Sequence, residues 1–248
     1  MKYTTILILL LNTIMYAQLN NLVQYKMVRS IGMSEIESEY LVFNESELYY
    51  GNITKKDNLN FEDEKFDKSR INFDPFYVNL KNDSLYQKKY GIENKNSSKI
   101  ILFTSVESYP VIKWKVTKEM QNILGYTTYK ATTNFRGRAY TAWFAPELPY
   151  NYGPWKLNGL PGLILKVEND MFSYEAKRIV LNSDKIPTIP LLKSLENSNA
   201  KYLLKDAVTL ENNWLEYNRA NNYASLPAGV KIIEQPLRQD ERELNFDE

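Results

Sequence analysis

Glu119 and Glu147 are two carboxylates in the middle of the chain, and a carboxylate pair is the least that acid/base hydrolysis of a glycan or peptide requires. Nothing in their sequence spacing fixes how far apart they stand, and the usual exposure of glutamate favours ordinary surface residues over a catalytic pair. Arg138, Trp143, Trp155 and Lys156 offer a different chemistry. A tryptophan beside an arginine or lysine can stack an aromatic or sugar ring and hold an anionic group. With Glu147 these four sit in or beside turns, where a scaffold often displays functional side chains. The alternative for them is packing: both tryptophans in the core, the charges solvated or paired. The 248 residues contain no histidine and no cysteine. That removes Ser-His-Asp and Cys-His nucleophiles, thiolate and imidazole metal sites, and disulfides. No residue is assigned as catalytic, and neither a metal nor a cofactor is expected.

The bulk properties narrow the partners. Lys and Arg total 31 against 30 Asp and Glu, so nucleic acid has no net electrostatic support as a ligand. Tyrosine occurs 19 times and aromatic residues make up 13%, which suits β structure and interaction surfaces. At the N-terminus, Lys2 precedes an apolar run from Ile6 to Leu11, with the small residue Ala17 before Gln18. This reads as an export signal over 1–17, too short for a stable membrane span. No cysteine follows Ala17, which removes a lipid-anchored cysteine.

The elements that must position the candidate residues read as β-strands. Alternation predicts strands near 19–29, 40–52 and 99–107. Residues 75–91 read as a hairpin turning at Lys81-Asn82-Asp83. Ile112, Trp114 and Val116 alternate as one face of a strand. A hairpin over 125–149 turns at Asn134-Phe135-Arg136-Gly137. If Thr133 lies opposite Arg138, then Tyr129, Ala131, Tyr140, Ala142 and Phe144 share the core face, and Thr128, Lys130, Thr141 and Trp143 the other. Another hairpin over 163–181 turns at Asn169-Asp170. Residues 53–72 read as a solvated loop, and 200–220 carry apolar residues at helical spacing. Lys113, Lys115 and Lys118 suit a solvated strand edge. The expected fold is mainly β: an antiparallel meander of about eight to ten strands, forming a curved sheet or incomplete barrel with a C-terminal helix packed on it. One domain spans 18–238, and the polar stretch 239–248 reads as a disordered tail.

Between Glu147 and the last hairpin lies "GPWKLNGLPGLILKV", with three of the nine glycines. Gly153-Pro154 and Asn158-Gly159 are turn signals, and Pro161-Gly162 suits the centre of a type II turn over Leu160 to Leu163. That turn places Gly162 at positive φ and feeds a strand from Leu163 to Val167. Apolar residues on both sides of the Pro-Gly pair predict a covered turn.

The string Gly159-Leu160-Pro161-Gly162-Leu163-Ile164 resembles the signature after which the GLPGLI family of Bacteroidetes envelope proteins is named. Neighbouring residues occur in that family's order: Trp114 with Thr117 and Glu119, Gly125-Tyr126, Lys130-Ala131-Thr132, Phe135 with Gly137-Arg138, Ala142-Trp143-Phe144, Glu147 with Pro149, and Gly153-Pro154-Trp155-Lys156. The likeness is close from Trp114 to about Asp170, a motif block over 114–170, and loose from Leu41 to Tyr49. Many members carry a cysteine where Thr128 stands, so a thiol role cannot apply here. The resemblance implies a periplasmic, outer-membrane-associated or extracellular protein, in a family often linked with genes for TonB-dependent uptake. It carries over no activity.

Two readings follow. The first is a non-enzymatic envelope protein that binds a small ligand or a protein partner through Arg138, Trp143, Glu147, Trp155 and Lys156. The second is a secreted hydrolase of peptide or glycan that uses carboxylates. Two carboxylates facing across a cleft favour the hydrolase; an open aromatic surface favours binding.

Overall fold

The computed structural model describes residues 19–29, 35–52, 75–186, 193–227, 229–233 and 242–246. The stretches read in the sequence as an export signal (1–17) and a solvated loop (53–72), and residues 187–190, lie outside the described residues, as do parts of the 239–248 stretch.

Twelve strands make one sheet among the described residues. Six come first: β1 (Asn20–Arg29), β2 (Glu35–Phe43), β3 (Glu47–Asn52), β4 (Phe76–Asn79), β5 (Ser84–Gly91) and β6 (Ile101–Ser108). Five more follow: β7 (Lys115–Ile123), β8 (Tyr126–Phe135), β9 (Arg138–Ala145), β10 (Leu163–Glu168) and β11 (Phe172–Ser183). A 3-10 turn at Ser194–Asn197, the short β12 (Lys201–Leu203) and helix α1 (Leu204–Ala224) complete the order. The spatial order is β12-β6-β5-β4-β3-β2-β1-β11-β10-β9-β8-β7. Each neighbouring pair is antiparallel except β12 with β6. The chain therefore meanders from β1 out to β6, crosses to the opposite edge through 109–114, and meanders back until β11 pairs with β1.

Alternation explains which side is buried. Val23, Tyr25 and Met27 on β1, Leu41 and Phe43 on β2, Ala142 and Phe144 on β9, and Tyr174 and Ala176 on β11 all join one apolar cluster. A face shared by strands so far apart in the sheet requires it to curve around its core. Among the described residues nothing pairs with the outer edges of β7 and β12, and the sheet does not close into a barrel. The opposite face buries a smaller group, including Leu22, Val42, Tyr49 and Tyr77. Helix α1 packs at the β5–β6–β12 end through Phe103, Ala207 and Leu210. Gly91 lets it approach: a Cβ there would stand 2.6 Å from the Leu210 backbone. Among the described residues no helix is long and apolar enough to cross a membrane.

The mainly β meander with a packed late helix is as the sequence predicts, with local differences. Ile112 and Trp114 belong to the crossing segment rather than to a strand, and Val116 in β7 is exposed. The β8–β9 turn has two residues, not four: Arg136 (φ 51°) and Gly137 (φ 78°), with Phe135 opposite Arg138. Positive φ at both centres is the turn whose twist suits a hairpin. The register differs from expectation by two, which preserves every side chain's face. Ala131, Tyr140, Ala142 and Phe144 are accordingly buried. The helix begins at Leu204 rather than near 200, because β12 takes up residues 201–203, and it runs on past 220 to Ala224.

Candidate functional site

Within the segment from Pro146 to Pro161, residues 153–158 are buried inside the curve, while Pro146, Glu147, Pro149, Asn151, Gly159 and Pro161 stay exposed. Leu148, Trp155, Leu157 and Leu160 join the main core cluster. Trp155 takes φ 54°, a conformation costing an L-residue roughly 1–2 kcal/mol. Burial holds it there, with its indole against Phe135 and Tyr140 at centroid distances of 5.7 and 6.4 Å. Gly162 does have positive φ, at 156°, but not in a type II turn. Its N–H donates to the Leu160 carbonyl across Pro161 (2.8 Å), and Leu163 N–H donates to Leu148 O (2.9 Å). The stronger demand for glycine is contact: a Cβ at 162 would stand 2.3 Å from Ala145 O.

Lys156 is fully buried in an ion cluster. Its ammonium reaches Glu107 Oε1 on β6 at 2.5 Å and Glu243 Oε1 at 2.8 Å. Arg136 reaches Glu107 Oε2 at 2.6 Å and Glu243 at 3.9 Å. Burial alone would raise the Glu243 carboxyl, but Lys156, Lys89 and Arg136 outweigh it and hold the group below the usual carboxylate range. Arg138 is also buried, with its guanidinium 2.9 Å from the exposed Asp170 and 6.0 Å from the Phe172 ring centroid.

These positions correct the picture of an open aromatic surface. Trp155 is 4% exposed, and Arg138, Trp155 and Lys156 point into the molecule. The turn residues around them suggest a surface loop, but the curved sheet encloses that loop. Trp143 remains half-buried on the outer face, and Glu147 is exposed, with Oε1 accepting from Thr127 N–H at 3.4 Å. Glu119 is exposed on β7 and paired with Lys130 at 2.9 Å.

On the outer face a different site takes form. Register sets Lys130, Trp143 and Lys166 side by side on β8, β9 and β10. Two residues further along, roughly 7 Å, Lys115, Thr132 and Thr141 form the next row. This row floors a cleft of about 600 Å³, walled by Lys113, Trp114 and Asn134 and lined by no carboxylate. The inner motif loop fixes the wall. Trp114 Nε1 donates to Asn158 O at 2.7 Å, and Asn158 Nδ2 donates to Pro110 O at 2.9 Å. Thr133 Oγ1 donates to Lys113 O at 2.7 Å. The cleft thus combines two lysines, hydroxyl and amide groups, and an indole. Among the described residues no cluster of three or more Asp or Glu is placed to hold a metal.

Trp143, singled out in the sequence, stands beside this cleft without lining it, and the sequence reading did not anticipate the cleft. The lysines at 113 and 115 were visible, but only the register places them across from Thr132.

Fold and site together define an open antiparallel sheet, filled by a Gly-Pro loop and bearing a basic polar cleft on its outer face. Residues 136–166, from the β8–β9 turn through the motif loop to β10, match a family described as "Protein of unknown function (Porph_ging)". Two structures of PNGF-II, in space groups C2 and P21, are similar in fold, with TM-scores of 0.55 and 0.53 and identities of 20% and 19%. Each comparison covers 80% of this chain, which spans only about a third of the PNGF-II chains (33% and 34%). No curated protein sequence matches the chain.

Proposed function

We propose that this is an exported, non-enzymatic binding protein of the cell envelope, and that its outer cleft takes a sugar-like ligand carrying an anionic group. On this reading residues 1–17 are a leader cleaved near Ala17, 18–238 form one β-rich domain of the GLPGLI type, and the ligand or an envelope partner links it to outer-membrane uptake. The observation that carries the reading is the cleft's composition. Lys113 and Lys115 supply positive charge, Thr132, Asn134 and Thr141 supply polar groups, and Trp114 supplies an aromatic wall. Hydroxyl-rich ligands need donors and acceptors in fixed positions, and an anionic substituent needs cations not already neutralised by the lining. Trp143 extends the same surface, but its lysine neighbours Lys130 and Lys166 are already paired with Glu119 and Glu168 at 2.9 and 3.1 Å.

A hydrolase reading needs carboxylates across a cleft, and neither Glu119 nor Glu147 lines this one. Their contacts on β8, at Lys130 and Thr127, lie three residues apart, roughly 10 Å along the strand. Calorimetric titration with sulfated or uronic-acid oligosaccharides, and with neutral ones of equal length, tests the proposal. The anionic series is expected to bind, and Lys113→Glu with Lys115→Glu to weaken it by about tenfold or more. Equal binding of neutral and anionic sugars, or none of either, removes the cleft as the site. Turnover of the sugars that vanishes in Glu119→Gln or Glu147→Gln makes the protein a hydrolase instead.

A further inference from the structure

Residues 242–246 lie in the stretch that composition reads as a disordered tail, yet they occupy a slot built by distant parts of the fold. Arg242 sends its guanidinium to Glu39 on β2 (2.5 Å), a carboxylate that also accepts from the Tyr50 hydroxyl. The same guanidinium lies over the rings of Phe172 and Tyr174, at 5.7 and 5.6 Å from their centroids. One residue on, Glu243 enters the opposite charge environment, between Lys156 and Arg136. Leu244 and Asn245 then donate their backbone N–H groups to the Arg136 carbonyl, at 2.9 and 3.3 Å. Phe246 stacks on the Arg136 guanidinium at 5.5 Å.

The slot therefore reads a sequence. It has an anionic pocket with aromatic walls, a cationic pocket one residue further, a backbone acceptor and a guanidinium face that takes an aromatic ring, in fixed order. Its receiving charges are built in: Glu39, Arg136 and Lys156 are 1%, 4% and 0% exposed. Segments recognised in this way gain affinity from main-chain hydrogen bonds and specificity from successive side-chain pockets. The occupying segment is joined to helix α1 only through residues 225–241, in which the described residues form no strand or helix.

We propose that this slot is a peptide-binding site for a partner segment that presents an arginine, then a glutamate, then an aromatic residue three positions further on, and that residues 242–246 close it in cis until such a segment displaces them. This inference stands independently of the outer cleft. The probe is the capped peptide Arg-Glu-Leu-Asn-Phe, fluorescently labelled, and its control is the same peptide with the two charged residues exchanged. The full chain carrying Arg242→Ala and Glu243→Ala is expected to bind the probe saturably, while the wild-type chain binds it about a hundredfold more weakly because a tethered competitor acts at millimolar effective concentration. The charge-exchanged control is expected to bind the variant about a hundredfold more weakly than the probe does. Equal binding to both proteins, or of both peptides, overturns the proposal. Should the variant not fold, amide exchange in the wild-type chain decides. Several-millimolar probe, but not control, must accelerate exchange at Leu244 and Asn245; unchanged rates overturn it.

Discussion

Replacing Lys156 with methionine tests whether the buried ion cluster holds the inner loop in place. Methionine keeps an unbranched stem of similar size against Trp155 and removes only the charge. Two carboxylates, Glu107 and Glu243, then remain buried with Arg136, which stands 2.6 Å from the first but 3.9 Å from the second, and with the longer-range charge of Lys89 acting on Glu243. Each lost Lys–Glu contact is on the order of 5 kcal/mol gross at an effective dielectric of ~20, and much of that is offset because the ammonium no longer has to be desolvated. Breaking one partner out of a buried pair leaves a net cost of about 3–5 kcal/mol. That is a large share of a typical total stability of about 5–15 kcal/mol. Urea unfolding at about pH 7.5, well above the ordinary carboxylate range, measures it. The double variant Lys156→Met with Glu243→Gln should recover about 2 kcal/mol, since the carboxylate left worst paired is gone. A single variant within about 1 kcal/mol of wild type, or a double variant with no recovery, refutes the reasoning.

Three further outcomes are expected. Gly162→Ala should cost about 3 kcal/mol, because its Cβ would press on the Ala145 backbone rather than on a side chain that can move; an unchanged melting temperature contradicts that. Trp155→Ala should destabilise by about 3–5 kcal/mol, as for a core residue, whereas an exposed anchor would leave stability intact. The Glu243 carboxyl has a folded pKa below its unfolded value. Its contribution is therefore complete above the unfolded value and is lost as pH falls through the folded one. Stability should fall on acidification below about pH 4.5 less steeply in Glu243→Gln than in wild type, and parallel profiles exclude this linkage.

The hairpins were legible because a half-buried strand writes its buried face into every second residue. That period also explains why an error of two residues in the β8–β9 register left the core face correct. β7 was harder to read. "KVTKEMQNI" is a polar edge strand whose burial is too slight to leave an apolar pattern. The site was legible only where it depends on near neighbours. Trp143 is visible from its strand, but the placement of Lys156 depends on Glu107 and Glu243, 49 and 87 residues away in sequence. Gly-Pro composition marks a turn and cannot say whether a sheet will close over it. Likewise the polar composition around Arg242 carries no trace of Glu39, which gives that arginine a buried partner.

The seam between β1 and β11 has a consequence for the time the molecule needs to form. Nearly every other strand contact is between chain neighbours and can close quickly. The seam joins Val23 to Ile179 and Met27 to Tyr174, at opposite ends of the sheet-forming chain. Bringing such remote segments together costs loop entropy before any contact rewards it. The half from β1 to β6 can assemble its own ladder, and so can the half from β7 to β11, but the continuous curved core exists only once the seam has joined them. Substitutions at the seam are therefore expected to slow refolding, while those in the outer hairpins chiefly speed unfolding.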